Sequence, residues 1–292
     1  ACNISLGQNT MQGTSTAANN TGHSNIALGN SAMYYQKTGE HNIGVGYQAL
    51  YGTTAGTTGD KNIALGYQSG KNITSGNSNV AIGHEAGAGV TSGDKGIFIG
   101  KSAGNSTITG DRNYFIGEYA GDNTTSGETN IGFGYLALAS GTLTGNYNVA
   151  IGCGAGRNVT SGNCNFFGGY NAGCALTTSC HNVFLGNYAG KLIGTGCCNI
   201  FIGCSAGNGV GTAANNNAIN NIAIGMGAME DITTGDDNIA FGRHAGKGFA
   251  AAHCNIYMGM MSGFYHTSGD YNIMLGKSAG SDIGTGAGNI FL

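Results

Sequence analysis

The side chains best equipped for chemistry in this 292-residue chain are nine cysteines, seven histidines and fourteen carboxylates. The cysteines include no Cys-x-x-Cys pair, so neither a zinc framework nor a thioredoxin-like redox motif is present. Their odd number leaves at least one thiol free or paired with another chain. Histidines 23, 41, 84, 181, 244, 253 and 266 are scattered along the chain and form no ligand set. Asp94, Asp111 and Glu128 recur 17 residues apart and could collect a cation, but Lys95 and Arg112 stand beside the first two. A solvated turn column suits them better, since Asp after Gly favours tight turns. There is no Gly-x-Ser-x-Gly elbow, no His-Glu-x-x-His helix and no phosphate loop, so the chain does not read as an enzyme and no cofactor or metal is expected. The alternative within catalysis is a carbohydrate-processing spike, with paired carboxylates brought together across an oligomer groove.

What would position such groups is a repeat. Asn, an apolar residue, a small or aromatic residue, an apolar residue and Gly recur in that order, with the Asn at 3, 25, 42, 62, 79, 113, 130, 148, 165, 182, 199, 221, 238, 255, 272 and 289, and with Gly96 standing in once. Twelve of the sixteen steps are 17 residues long, which is a fixed coil with occasional loop insertions. Counting each Asn as position 0, the unit from Asn79 to Lys95 is complete, with a short strand at positions 0 to 4, a second near 10 to 13 and Gly-bearing corners between. Fifty-seven glycines rule out a helical bundle, because each Gly inside a helix costs roughly 0.8–1.0 kcal/mol against Ala. The fold class is therefore all-β: a β-solenoid of about 17 rungs, forming a single repeat domain over residues 1–292. A formal charge of −3 supplies no footprint for nucleic acid, and no apolar run is long enough for membrane insertion.

Columns follow from stacking rungs about 4.8 Å apart. The Asn side chains, among them Asn62, Asn79, Asn113, Asn130, Asn148, Asn165, Asn182 and Asn199, form a structural ladder, donating to one neighbouring rung and accepting from the other. The apolar residues at positions 1 and 3 are expected inside, which turns position 2 outward. That outward stripe includes Phe98, Phe115, Phe167, Phe184, Phe201, Tyr257, Met274 and Phe291. A monomer rarely exposes such a patch, so these residues are expected to form an oligomer interface with identical chains, on which thin rungs depend for stability. A rung begins at Asn3 and another at Asn289, which suggests a piece of a longer shaft or chains stacking end to end as a filament.

Segments such as Thr38 to Leu50 and Asn62 to Gly70 resemble the Asn-x-Ala-Ile-Gly-Tyr-x-Ala-Leu repeats of phage tail-fibre and tail-spike proteins that end in a self-cleaving chaperone domain. They are also similar to the Val-Ala-Ile-Gly rungs in the heads of trimeric autotransporter adhesins. The resemblance spans essentially the whole chain and implies a homotrimer of β-rolls, extracellular on a virion or cell surface, that mediates host attachment. The 17-residue rung is longer than the adhesin repeat.

Three further columns carry expectations. Cys180 and Cys197 share position 15 on adjacent rungs, within disulfide reach, and read either as a bonded pair or as two free thiols. Corner tyrosines 47, 67, 119, 135, 170 and 188 could stack on a cell-surface glycan or a protein receptor. Ser and Thr at positions 12 and 13 could present hydroxyls as an ice-binding solenoid does, although β-propensity also explains Thr there.

Overall fold

In a computed structural model of the protein, residues 2–13, 20–248 and 250–292 are described. The fold divides into two compact units, Ala1–Tyr147 and Asn148–Leu292, each a parallel β-solenoid with one short strand per rung. The first holds eight strands, β1 (Ile4–Leu6) through β8 (Ile131–Phe133), and the second nine, β9 (Val149–Ile151) through β17 (Ile290–Phe291). Within each unit, strands pair in chain order and in register, so that like positions face like: Phe98 opposite Phe115, Phe184 opposite Phe201. The described residues contain no α-helix and a single 3₁₀ turn, Ala213–Asn215.

The side-chain parity is the reverse of the expected one. In Ile97–Ile99 and most other strands, the central residue is buried and its two neighbours are partly exposed. Phe98, Phe115, Phe167, Phe184, Phe201, Tyr257 and Met274 are therefore not an intermolecular face; they lie inside the solenoid of a single chain, at most 1% exposed. Phe291, on the terminal strand, pairs in register with Met274 and is half-buried in the same column. The Asn ladder sets this parity. The position-0 asparagines from Asn25 to Asn272 are buried, and position 2 of an extended strand points to the same side as position 0. The aromatic column stacks along the interior, with Phe184 and Phe201 nearly parallel at 5.0 Å.

The second strand expected at positions 10 to 13 does not form. There a single carbonyl, that of Thr91, accepts from the amides of Thr74, Ser75 and Gly76 at 3.0, 3.3 and 3.2 Å, a bend rather than a ladder. Isolated bridges occur only at Gln36 with Thr57 and Thr124 with Leu143 among the described residues. The glycine after most strands has two independent reasons to lack a Cβ. Gly83 has φ of +132°, and an added Cβ would lie 2.8 Å from the carbonyl oxygen of Gly100 one rung away.

Interior volume is shared between positions 2 and 8. Where position 2 is Phe, Tyr or Met, position 8 is Gly: Phe115 with Gly121, Phe201 with Gly207, Tyr257 with Gly263. A Cβ at any of these glycines would overlap the aromatic ring. Where position 2 is Gly or Ala, position 8 can be large and buried, as with Gly44 and Leu50, Gly132 and Leu138, Ala27 and Met33, and Ala223 and Met229. Each rung thus holds no more than one large side chain in the same space. Gly96 follows the same logic: the Phe98 ring occupies the place where an Asn side chain would stand.

This packing makes a stability prediction. Gly121→Leu should cost about 3 kcal/mol or more, from overpacking and a strained left-handed backbone, and Phe115→Ala about 3–5 kcal/mol from the cavity. The double variant should lose clearly less than the sum, with a coupling of about 2–3 kcal/mol, because Leu138 already adopts that conformation beside Gly132 on the next rung. Chemical unfolding of the four proteins in the cycle measures it.

Candidate functional surfaces

Inside, the predicted ladder residues form chains of carboxamides, interrupted in the first unit where Gly96 takes the place of Asn. The Asn182 amide N–H donates to Asn165 Oδ1 at 3.0 Å, its Nδ2 donates to the Gly196 carbonyl at 2.9 Å, and its own Oδ1 accepts the Asn199 amide at 3.0 Å. Asn62 and Asn79 repeat the pattern, as do Asn113 with Asn130 and Asn148 with Asn165.

Outside, the strands present positions 1 and 3. Across both units these are Ile, Val, Leu, Phe and Met, with one Tyr (Tyr114) and one Gly (Gly168), and not one charged side chain. Exposure is substantial: Phe133 54%, Ile151 46%, Met258 45%. An antiparallel or solvated sheet face would alternate with polar residues; this one does not. The apolar outer face predicted from sequence exists, but it is built from the neighbours of the residues assigned to it.

A second column was missed. In many rungs the residue two before the Asn uses its side chain to accept a backbone amide from the preceding rung, although Ile219 and Ala287 cannot: Glu40 N–H donates to Asp60 Oδ1 (2.8 Å), Asp60 N–H to Asn77 Oδ1 (2.9 Å), Asn77 N–H to Asp94 Oδ1 (2.7 Å) and Asp94 N–H to Asp111 Oδ1 (2.8 Å). In the second unit Cys180, Cys197, Asp236, His253 and Asp270 serve in the same way. Asp94 and Asp111 are thus acceptors of a structural ladder, and Glu128 pairs with Arg112 at 3.3 Å. Among the described residues no three His, Cys, Asp or Glu side chains gather as a metal site. The signal was in the sequence, as a recurrent acceptor at one offset from Asn.

Cys180 and Cys197 are free thiols, as are the other seven cysteines. The corner aromatics contact one another: Tyr47 stacks on Tyr67 at 5.1 Å and Tyr67 on His84 at 4.9 Å, whereas Tyr119 with Tyr135 and Tyr170 with Tyr188 meet edge to face. The position-12 threonines turn their hydroxyls toward the next rung; Thr74, Thr160 and Thr177 each donate to a carbonyl at 3.2 Å. A shallow depression of about 450 Å³ is lined by Asn105, Ser106, Thr107, Asp122, Asn123, Thr125 and Thr142. Burial raises the pKa of its one carboxyl, Asp122. No helix among the described residues is long and apolar enough to cross a membrane.

One buried titratable pair stands out. Tyr257 and His266 replace the usual Phe and aliphatic residue at positions 2 and 11, with Tyr257 Oη 2.7 Å from His266 Nδ1. Burial raises the tyrosine pKa and lowers that of the histidine, with the Gly286 carbonyl and Asp270 opposing the latter in part. Compared with protein-family models, with curated proteins and with solved structures, the chain matches none.

Two predictions follow from these columns. Asp94→Ala should cost about 1 kcal/mol and speed hydrogen exchange at the Asn77 amide, whereas Asp94→Asn should do neither. For the buried pair, the folded His266 pKa lies below the unfolded value of about 6.5. The unfolded chain therefore takes up the proton first, so stability is complete above about pH 6.5 and falls as pH drops through the folded pKa. The double variant Tyr257→Phe/His266→Leu should lose that slope in urea unfolding measured between pH 7 and pH 5.

Proposed function

We propose that the protein is a structural fibre or adhesin shaft: a homo-oligomer, a trimer as in the families its repeats resemble, displayed on a virion or cell surface to mediate attachment through a glycan or receptor. The observation that carries this reading is the outward sheet face, where positions 1 and 3 are apolar with no charge in any rung. Such a face in water calls for a cover, and a second copy offers a surface of the same length and the same rung spacing, so that ridges and grooves fall into step. The interior supports a mechanical role, since the Asn carboxamides and many of the acidic side chains are engaged in holding rung to rung. The reading makes the protein a scaffold rather than an enzyme.

Size-exclusion chromatography with light scattering tests it. The wild-type chain should run as a stable oligomer at micromolar concentration, and Phe133→Lys combined with Phe241→Lys should shift it to a monomer with unchanged circular dichroism. A wild-type monomer at that concentration would retire the proposal.

A further inference from the structure

We propose that Cys180 and Cys197 form a two-coordinate site for a soft monovalent d¹⁰ ion, Cu(I) or Ag(I). The two residues stand at the same place on consecutive rungs. Cys180 Sγ accepts the Asn163 amide at 3.4 Å and its Nδ2 at 3.8 Å, and Cys197 Sγ accepts the Cys180 amide at the same 3.4 Å. Equivalent contacts on equivalent rungs put the sulfurs one repeat apart, about 4.8 Å. A metal–thiolate bond is about 2.3 Å, so an ion midway between the sulfurs reaches both with almost no rearrangement.

The same geometry disfavours a disulfide. That bond needs Cβ atoms about 3.5–4.5 Å apart, and ladder side chains running parallel hold them a full rung apart; both sulfurs are thiols. Ligand number and type then select the ion. Thiolates prefer soft metals, and no third His, Cys, Asp or Glu joins the pair. Zinc, which takes four ligands in structural sites, is poorly served, whereas a d¹⁰ monovalent ion is content with two in line. Both cysteines are half-exposed, open to an arriving ion. Binding forms two S–M bonds and releases the two thiol protons to solvent; the ion's oxidation state does not change.

The test loads the full chain anaerobically with Cu(I) in the presence of a competing Cu(I) chelator and counts retained ions by native mass spectrometry. It compares the wild type with Cys180→Asn and with Cys197→Asn. Asn is chosen because Asn77 and Asn146 fill this column elsewhere and accept the amides of Asp60 and Glu128, so the ladder survives. A full chain with its other seven cysteines changed to Ser is measured alongside. The wild type should hold one more ion than either Asn variant, the seven-Ser chain should hold one, and its X-ray absorption should show two sulfur ligands. Either Asn change should weaken retention at least about 100-fold. Equal retention by wild type and variants, a coordination number above two in the seven-Ser chain, or a 180–197 disulfide in the air-free protein would overturn the assignment.

Discussion

The structure depends on a buried amide that must find partners. Nearly every rung places one Asn carboxamide out of water, and leaving it unpaired there would cost about 1–3 kcal/mol, a large loss for a rung with only a few apolar side chains inside. Stacking at a constant repeat solves this, because the rung on one side supplies an acceptor, the rung's own return segment supplies a carbonyl, and the next backbone amide takes the oxygen. Once position 0 is committed to the interior, strand alternation commits position 2 as well. The small and aromatic residues of that column are then core, and positions 1 and 3 are left to the outside.

A second ladder runs in the opposite sense along another edge. In the Asn column the amide of the later rung donates to the side chain of the earlier one; two residues before each Asn, the amide of the earlier rung donates to the side chain of the later one. Where both ladders run, as between the rungs of Asn165 and Asn182, the interface is therefore held by side-chain hydrogen bonds of both polarities, beyond the strand pairing itself. The requirement at the second column is only for an acceptor atom at the right height. That is why Asp, Asn, His and Cys interchange there, and why residues that look like metal or redox chemistry in the sequence are mostly architecture. The thiols differ from the rest in keeping an affinity for soft ions after they have accepted an amide.

Much of this was legible beforehand. The 17-residue period, the Asn ladder and the glycine that closes the strands before the last follow from spacing alone. The orientation did not, and the reason is instructive. Ile-Ala-Ile and Ile-Phe-Ile read as strands with the branched residues inward, because burial usually follows hydrophobicity. The position-0 Asn carries the opposite instruction, and in a three-residue strand a buried amide outranks two exposed aliphatics. The exchange of size between Phe115 and Gly121 on one rung and Gly132 and Leu138 on the next could also have revealed the inward column, since only a confined space makes two positions trade volume. The missing second strand was less accessible: Thr at positions 12 and 13 favours extension, but three amides converging on one carbonyl is a tertiary outcome.

Correcting the parity also changes the relation between folding and assembly. Had the aromatic stripe faced outward, each rung would have lacked a core of its own, and the chain would have folded only in company. With Phe98, Phe115, Phe167, Phe184 and Phe201 enclosed by their own chain, the interior is filled before any partner arrives. The apolar strands on the outside are then not needed to complete a rung. Substitutions on that face leave the ladders intact, whereas substitutions in the interior columns act on the rung itself. Such a separation suits a shaft, in which stiffness comes from within each chain and the number of chains is decided at a surface.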